Sequence, residues 1–84
     1  LKLTNNSWGG GAYEQALYDS IAANGAADML FIAAAGNDSY NIDSYVAYPA
    51  GYNLNNIVSV AATDHRDYLA SFSNYGITNV DLAA

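Results

Sequence analysis

The chain has no cysteine among its 84 residues, which excludes a disulfide framework and any thiolate metal site. Basic side chains are almost as scarce: Lys2 and Arg66 stand against eight acids, for a net charge of −6. Phosphate backbones are gripped by clusters of Lys and Arg, and two residues cannot form one, so nucleic acid is excluded as a partner. The same balance disfavours an anionic membrane surface. No apolar run reaches the ~18 residues of a membrane helix, so no membrane span is expected. The start, Leu1-Lys2-Leu3-Thr4, lacks the basic end and long apolar segment of a signal peptide. Charged residues amount to only 12%, about half the usual share.

Apolar residues, by contrast, reach 52%. A chain of this size is one small domain at most and buries only about 60–65% of its extended surface. Long apolar strands, few charges, and a strand-like run at each end therefore read as the interior of something larger. The expectation is a central piece of a bigger domain, with the remainder of that domain as its first partner.

Leu1 to Asn5 reads as a strand that enters the turn Gly9-Gly10-Gly11. Ala12 to about Asn24 reads as a helix, with Tyr13, Ala16, Leu17 and Ile21 spaced along one side. Glu14 falls in its first turn, where the helix dipole favours a carboxylate, and Asn24-Gly25 supplies a left-handed stop. Leu30 to Ala35 and Ile57 to Ala62 are short continuous apolar runs, the pattern of parallel strands buried on both faces. The polar stretch from Asn37 to Asn56 lies between them, a length of connection that usually has a function. Leu69 to Phe72 and Val80 to Ala83 read as extended pieces around a turn at Ser73-Asn74-Tyr75-Gly76. The fold class is α/β with a mainly parallel sheet.

The segment Leu30-Phe31-Ile32-Ala33-Ala34-Ala35-Gly36-Asn37 is the most informative. The strand shrinks to small residues, which let another backbone come close, and ends at a glycine that relaxes the turn. Asn37 then projects from a strand's C-terminal end, where open α/β sheets place their ligands. An amide there either caps the turn or donates hydrogen bonds to an oxyanion without titrating.

Thr4-Asn5-Asn6-Ser7-Trp8-Gly9-Gly10, Tyr48-Pro49-Ala50, Ala70-Ser71-Phe72-Ser73-Asn74-Tyr75-Gly76 and Val80-Asp81-Leu82-Ala83-Ala84 complete an ordered set. In this order and at these intervals they resemble the middle of the subtilase family, the subtilisin-like serine endopeptidases, and within it the subtilisin and thermitase branch. The resemblance implies a three-layer α/β/α fold of which this chain holds a central portion. It implies Asn37 as the oxyanion-hole donor. Ser7, Trp8, Gly9 and Gly10 would form one wall of the substrate cleft, with Trp8 toward the S4 region. Ala34, Ala35 and Gly36 would form the opposite wall, and Ala47 the floor of the S1 pocket. It further implies a cis bond at Tyr48-Pro49, a polypeptide substrate, and an extracellular, bacterial enzyme. No cofactor is required, although many members bind Ca²⁺, partly through main-chain carbonyls.

The residues themselves set a limit on that picture. A serine protease needs a nucleophile, a base and an orienting carboxylate, and the family's D-[ST]-G, H-G-T-H and G-T-S-x-A strings are all absent. His65 sits in the charged turn Asp64-His65-Arg66-Asp67 and matches no catalytic position. Asp38, Asp43, Asp64 and Asp67 are hard oxygen donors, but without EF-hand spacing they read as solvated surface, and no metal site is assigned. The 84 residues alone are therefore expected to be inactive. Two rivals stand beside the peptidase: a non-catalytic peptide-binding module with the same cleft, and an unrelated α/β module holding a small anion at Gly9 to Gly11. The second is weakened by the lack of G-x-G-x-x-G spacing or a following Lys.

Overall fold

The computed structural model of the protein describes residues 2–84. Four strands, β1 (Lys2–Asn6), β2 (Met29–Ala34), β3 (Ile57–Ala61) and β4 (Leu82–Ala83), form one sheet in that order. The one helix among the described residues, α1 (Gln15–Ala26), joins β1 to β2. Every pairing is parallel, with Thr4 beside Phe31, Phe31 beside Ile57, and Val60 beside Leu82. The predicted strand at Leu1 to Asn5 is present from Lys2 onward; Leu1 lies outside the described residues.

Side chains paired in parallel register share a face, which sorts the strands cleanly. One face carries Phe31, Ala33, Ile57, Ser59 and Ala61, all buried. Ile21 of α1 packs there with Phe31, Ala33, Ala50, Tyr52 and Ile57. A second buried cluster, Ala35, Ile42 and Ala61, lies under the long loop. The other face carries Leu30, Ile32, Val58 and Val60, all only partly buried, between the exposed Leu3 and Leu82. Two of the three expected layers are therefore present: the sheet and one helical layer.

Several local expectations shift. The helix starts at Gln15 rather than Ala12, so Glu14 is its N-cap residue, not a first-turn acid. Its side chain makes no capping bond; the Tyr52 hydroxyl instead accepts from Glu14 N and donates to Glu14 O, both at 3.1 Å. The helix also runs through Asn24-Gly25 to Ala26, and Asp28 takes the left-handed conformation at φ 60°. Gly25 serves clearance: a Cβ there would meet the Asn56 side chain at 2.7 Å. Asn56 Nδ2 bonds Ile21 O and Met29 O across that gap, tying α1 to the start of β2. Ser73 to Gly76 is not the turn. The turn falls at Ser71-Phe72, and Tyr75 bridges in parallel to Asn41.

Candidate functional site

The C-terminal ends of β1 and β2 open onto a cleft of about 300 Å³. Its lining includes Ser7, Trp8, Gly9 and Gly10 from the segment after β1, and Ala34, Ala35, Gly36 and Asn37 from the end of β2. Ala47 and Tyr48 from the long loop complete it, with Asp38 and Asn74. All nine residues singled out from the sequence thus meet in one depression.

The walls are joined covalently to the sheet and by hydrogen bonds to each other. Asn6 Nδ2 donates to Ile32 O at 3.2 Å and to the Thr4 hydroxyl at 2.9 Å, pinning the end of β1 against β2. Gly10 N donates to Tyr48 O at 3.1 Å, which closes the glycine segment onto the long loop. Gly9 is needed at this closure, because a Cβ on it would lie 3.0 Å from Tyr48 O. The Tyr48–Pro49 peptide is cis, as the resemblance implies. Trp8 stands edge-on to Phe31, with ring centroids 6.2 Å apart, and remains 51% exposed, so only part of the indole serves the core.

Asn37 follows Gly36, whose φ of +109° belongs to a region that L side chains rarely adopt. That conformation turns the chain out of the sheet and leaves Asn37 exposed. Among the described residues its side-chain amide has no hydrogen-bond partner, so the turn is not held by an Asn37 cap. The turn is held from outside by Asn74, a buried residue whose weight the sequence did not reveal. Its motif was visible, but nothing in a lone Asn distinguishes a buried clamp from a surface turn.

Asp38, read from the sequence as solvated surface, puts a carboxylate at the cleft that the uncharged Ala47 does not. Asp43 turns away: its oxygens accept from Thr78 N at 3.0 Å and Asn79 N at 2.8 Å. The Thr78 amide above all, with Asn79 beside it, holds the Asp43 carboxyl below its ordinary pKa against the opposing effect of burial. Asp64 is engaged within its own turn, accepting from Arg66 N at 2.7 Å, Tyr68 N at 3.2 Å and the Arg66 guanidinium at 3.1 Å. Among the described residues no group of three or more His, Cys, Asp or Glu could hold a metal ion. His65 is exposed in that same turn. Ser73 is buried, its hydroxyl accepting from Ala62 N and donating to Asn74 O at 2.9 Å each, which leaves it no role as nucleophile. No helix among the described residues is long and apolar enough to cross a membrane.

A larger, more open depression of about 690 Å³ lies at the opposite end of the sheet, along Gly25, Met29 and Leu54. None of the residues that line the cleft reaches it. The glycine segment, for its part, does not run straight into a helix: Ala12, Tyr13 and the N-cap Glu14 separate Gly11 from the helical run that starts at Gln15. A helix-start anion site at Gly9 to Gly11 therefore lacks its helix.

Known proteins resemble this chain in sequence and in fold. The family model described as the subtilase family matches residues 1–84. Subtilisin-like protease 7 of Arthroderma gypseum is 45% identical over 67 residues, covering 80% of this chain and 16% of that protein. Halolysin of Haloferax mediterranei is 49% identical over 55 residues, covering 66% of this chain and 9% of that protein. Among solved structures, a protease of Pseudoalteromonas arctica superposes with a TM-score of 0.85 at 33% identity, over 99% of this chain and 23% of that one. The chain spans less than a quarter of each relative it matches here.

Proposed function

The chain belongs to the subtilase family, and from that membership we propose that residues 1–84 form the central part of a serine endopeptidase's catalytic domain. The substrate is a polypeptide, bound with its backbone along Ser7 to Gly10 and its P1 side chain between Ala34 to Gly36 and that strip, over Ala47. Asn37 donates a side-chain N–H to the oxygen of the tetrahedral intermediate as the carbonyl carbon is attacked. The nucleophile, base and orienting carboxylate come from segments outside these residues, and the protein acts outside the cell. Asp38 sets one negative charge beside otherwise small, apolar walls.

One observation carries this reading. Asn37 stands exposed at the end of β2, its amide unengaged among the described residues, inside the cleft where both walls converge. A donor spent on its own loop could not serve a substrate.

Two experiments test the proposal. In the gene that encodes the chain, a downstream G-T-S-x-A supports the peptidase; its absence supports a peptide-binding module without catalysis. In the intact protein, Asn37→Leu should lower kcat by about 10²–10³ with little change in KM. Loss of the oxyanion-hole amide in subtilisin has an effect of this size. An unchanged kcat refutes the oxyanion role.

A further inference from the structure

We infer that Asn74 is a positioning residue for Asn37: a buried amide that clamps the peptide groups on both sides of the oxyanion donor. The inference rests on the role proposed above for Asn37. Asn74 is only 1% exposed, yet it meets the loop through four hydrogen bonds. Its backbone N donates to Gly36 O at 2.8 Å, and its side-chain Nδ2 donates to Ala35 O at 2.9 Å. Its Oδ1 accepts from Asp38 N at 2.9 Å and from Tyr40 N at 3.0 Å. The residue immediately before Asn37 is therefore tied to the Asn74 backbone and the one immediately after it to the Asn74 side chain, which also reaches Ala35.

The chemistry of an amide is what this position requires. Ala35 O is an acceptor, whereas Asp38 N and Tyr40 N are donors, so the clamp must donate at one end and accept twice at the other. A carboxylate would oppose Ala35 O, an ammonium would oppose the two N–H groups, and a hydroxyl is too short to span both. The clamp is itself anchored to the sheet, because Ser73 Oγ accepts from Ala62 N just beyond β3 and donates to Asn74 O. Parallel support comes from Ser39 N to Phe72 O at 3.0 Å and Ser39 Oγ to Ser71 O at 2.7 Å. Ser71 to Asn74 is thus a strap that carries the position of β3 to the tip of β2. Gly36 is part of the fit, since a Cβ there would press into Asn74 Nδ2. An oxyanion donor gains its effect from being held in place before the charge develops, and displacement by about 1 Å can cost 10²-fold.

The test is a double-mutant cycle in the intact protease, with Asn37→Ala, Asn74→Ala and both together, and Asn74→Ser as a milder variant should the alanine not fold. Asn74→Ala should lower kcat about 10–100-fold at nearly constant KM. In the Asn37→Ala background the same change should cost less than about twofold, because the donor it positions is gone. Amide exchange should rise at Asp38 and Tyr40 and stay constant in β3. Equal losses in both backgrounds, or exchange rising alike in β3, would mean general destabilisation and overturn the inference. An unchanged kcat in Asn74→Ala or Asn74→Ser, with Asn37→Ala impaired, overturns it while leaving the oxyanion role intact. An unimpaired Asn37→Ala removes that role and this inference together.

Discussion

Gly36 and Asn74 form a matched pair, each conditioned on the other. Gly36 adopts a φ of +109°, and the space its Cβ would occupy is filled by the Asn74 amide. Replacing Gly36 by Ala therefore strains the backbone, at about 1–3 kcal/mol for a residue forced into such a region. It also pushes Asn74 off Ala35 O. Gly36→Ala is expected to lower both stability and kcat of the intact protein, measured by denaturant unfolding and steady-state kinetics. A variant as stable as the original would mean that neither the turn nor the clamp is as tight as described.

Among the elements, α1 is secured at its first turn by a residue 38 positions away. Tyr52 is 4% exposed, and its hydroxyl serves both Glu14 N and Glu14 O in place of a side-chain cap. Tyr52→Phe keeps the ring packing against Tyr48 and Tyr18 but leaves those groups without their partner. A loss of about 1–2 kcal/mol is expected in equilibrium unfolding, and no loss would show that water replaces the hydroxyl freely. The loop from Ile77 to Asn79 depends likewise on Asp43, whose carboxyl is held below its ordinary pKa by the Thr78 and Asn79 amides. A lowered folded-state pKa adds stability above the unfolded value of about 3.9, and that stability is lost as pH falls through the folded value. The difference in Tm between the original and Asp43→Asn should therefore be largest near neutrality and shrink below about pH 4. A difference independent of pH would remove the carboxylate from the account.

At the scale of the whole molecule, the sheet has one covered face. Parallel sheets are stable where both faces are covered, yet Leu3 and Leu82 are 58% and 49% exposed beside the partly buried Ile32, Val58 and Val60. Ile77 is 99% exposed as well. Residues 1–84 expressed on their own should associate or unfold without cooperativity, since open strand edges and an apolar face pair with other chains. They should also hydrolyse no peptide, because no nucleophile and base are brought together among the described residues. Sedimentation and thermal unfolding test the first expectation, and fluorophosphonate labelling the second. A cooperatively folding monomer, or a labelled serine, would contradict them.

Periodicity and local chemistry sufficed for the α/β class and the two central strands to within a residue, whereas the grouping of Ser7 to Gly10, Ala34 to Asn37 and Ala47 around one cleft was implied by the family resemblance. Such features are legible because a buried parallel strand must be continuously apolar and a strand-end turn needs Gly36. The helix limits escaped: its start is held by Tyr52 and its end is cleared for Asn56, both remote in sequence. The role of Ala70 to Gly76 escaped for the same reason. Whether an Asn is a solvated turn residue or a buried clamp depends on which donors and acceptors the fold brings around it. For Asn74 those groups belong to Ala35, Gly36, Asp38 and Tyr40, and only the tertiary structure brings them together.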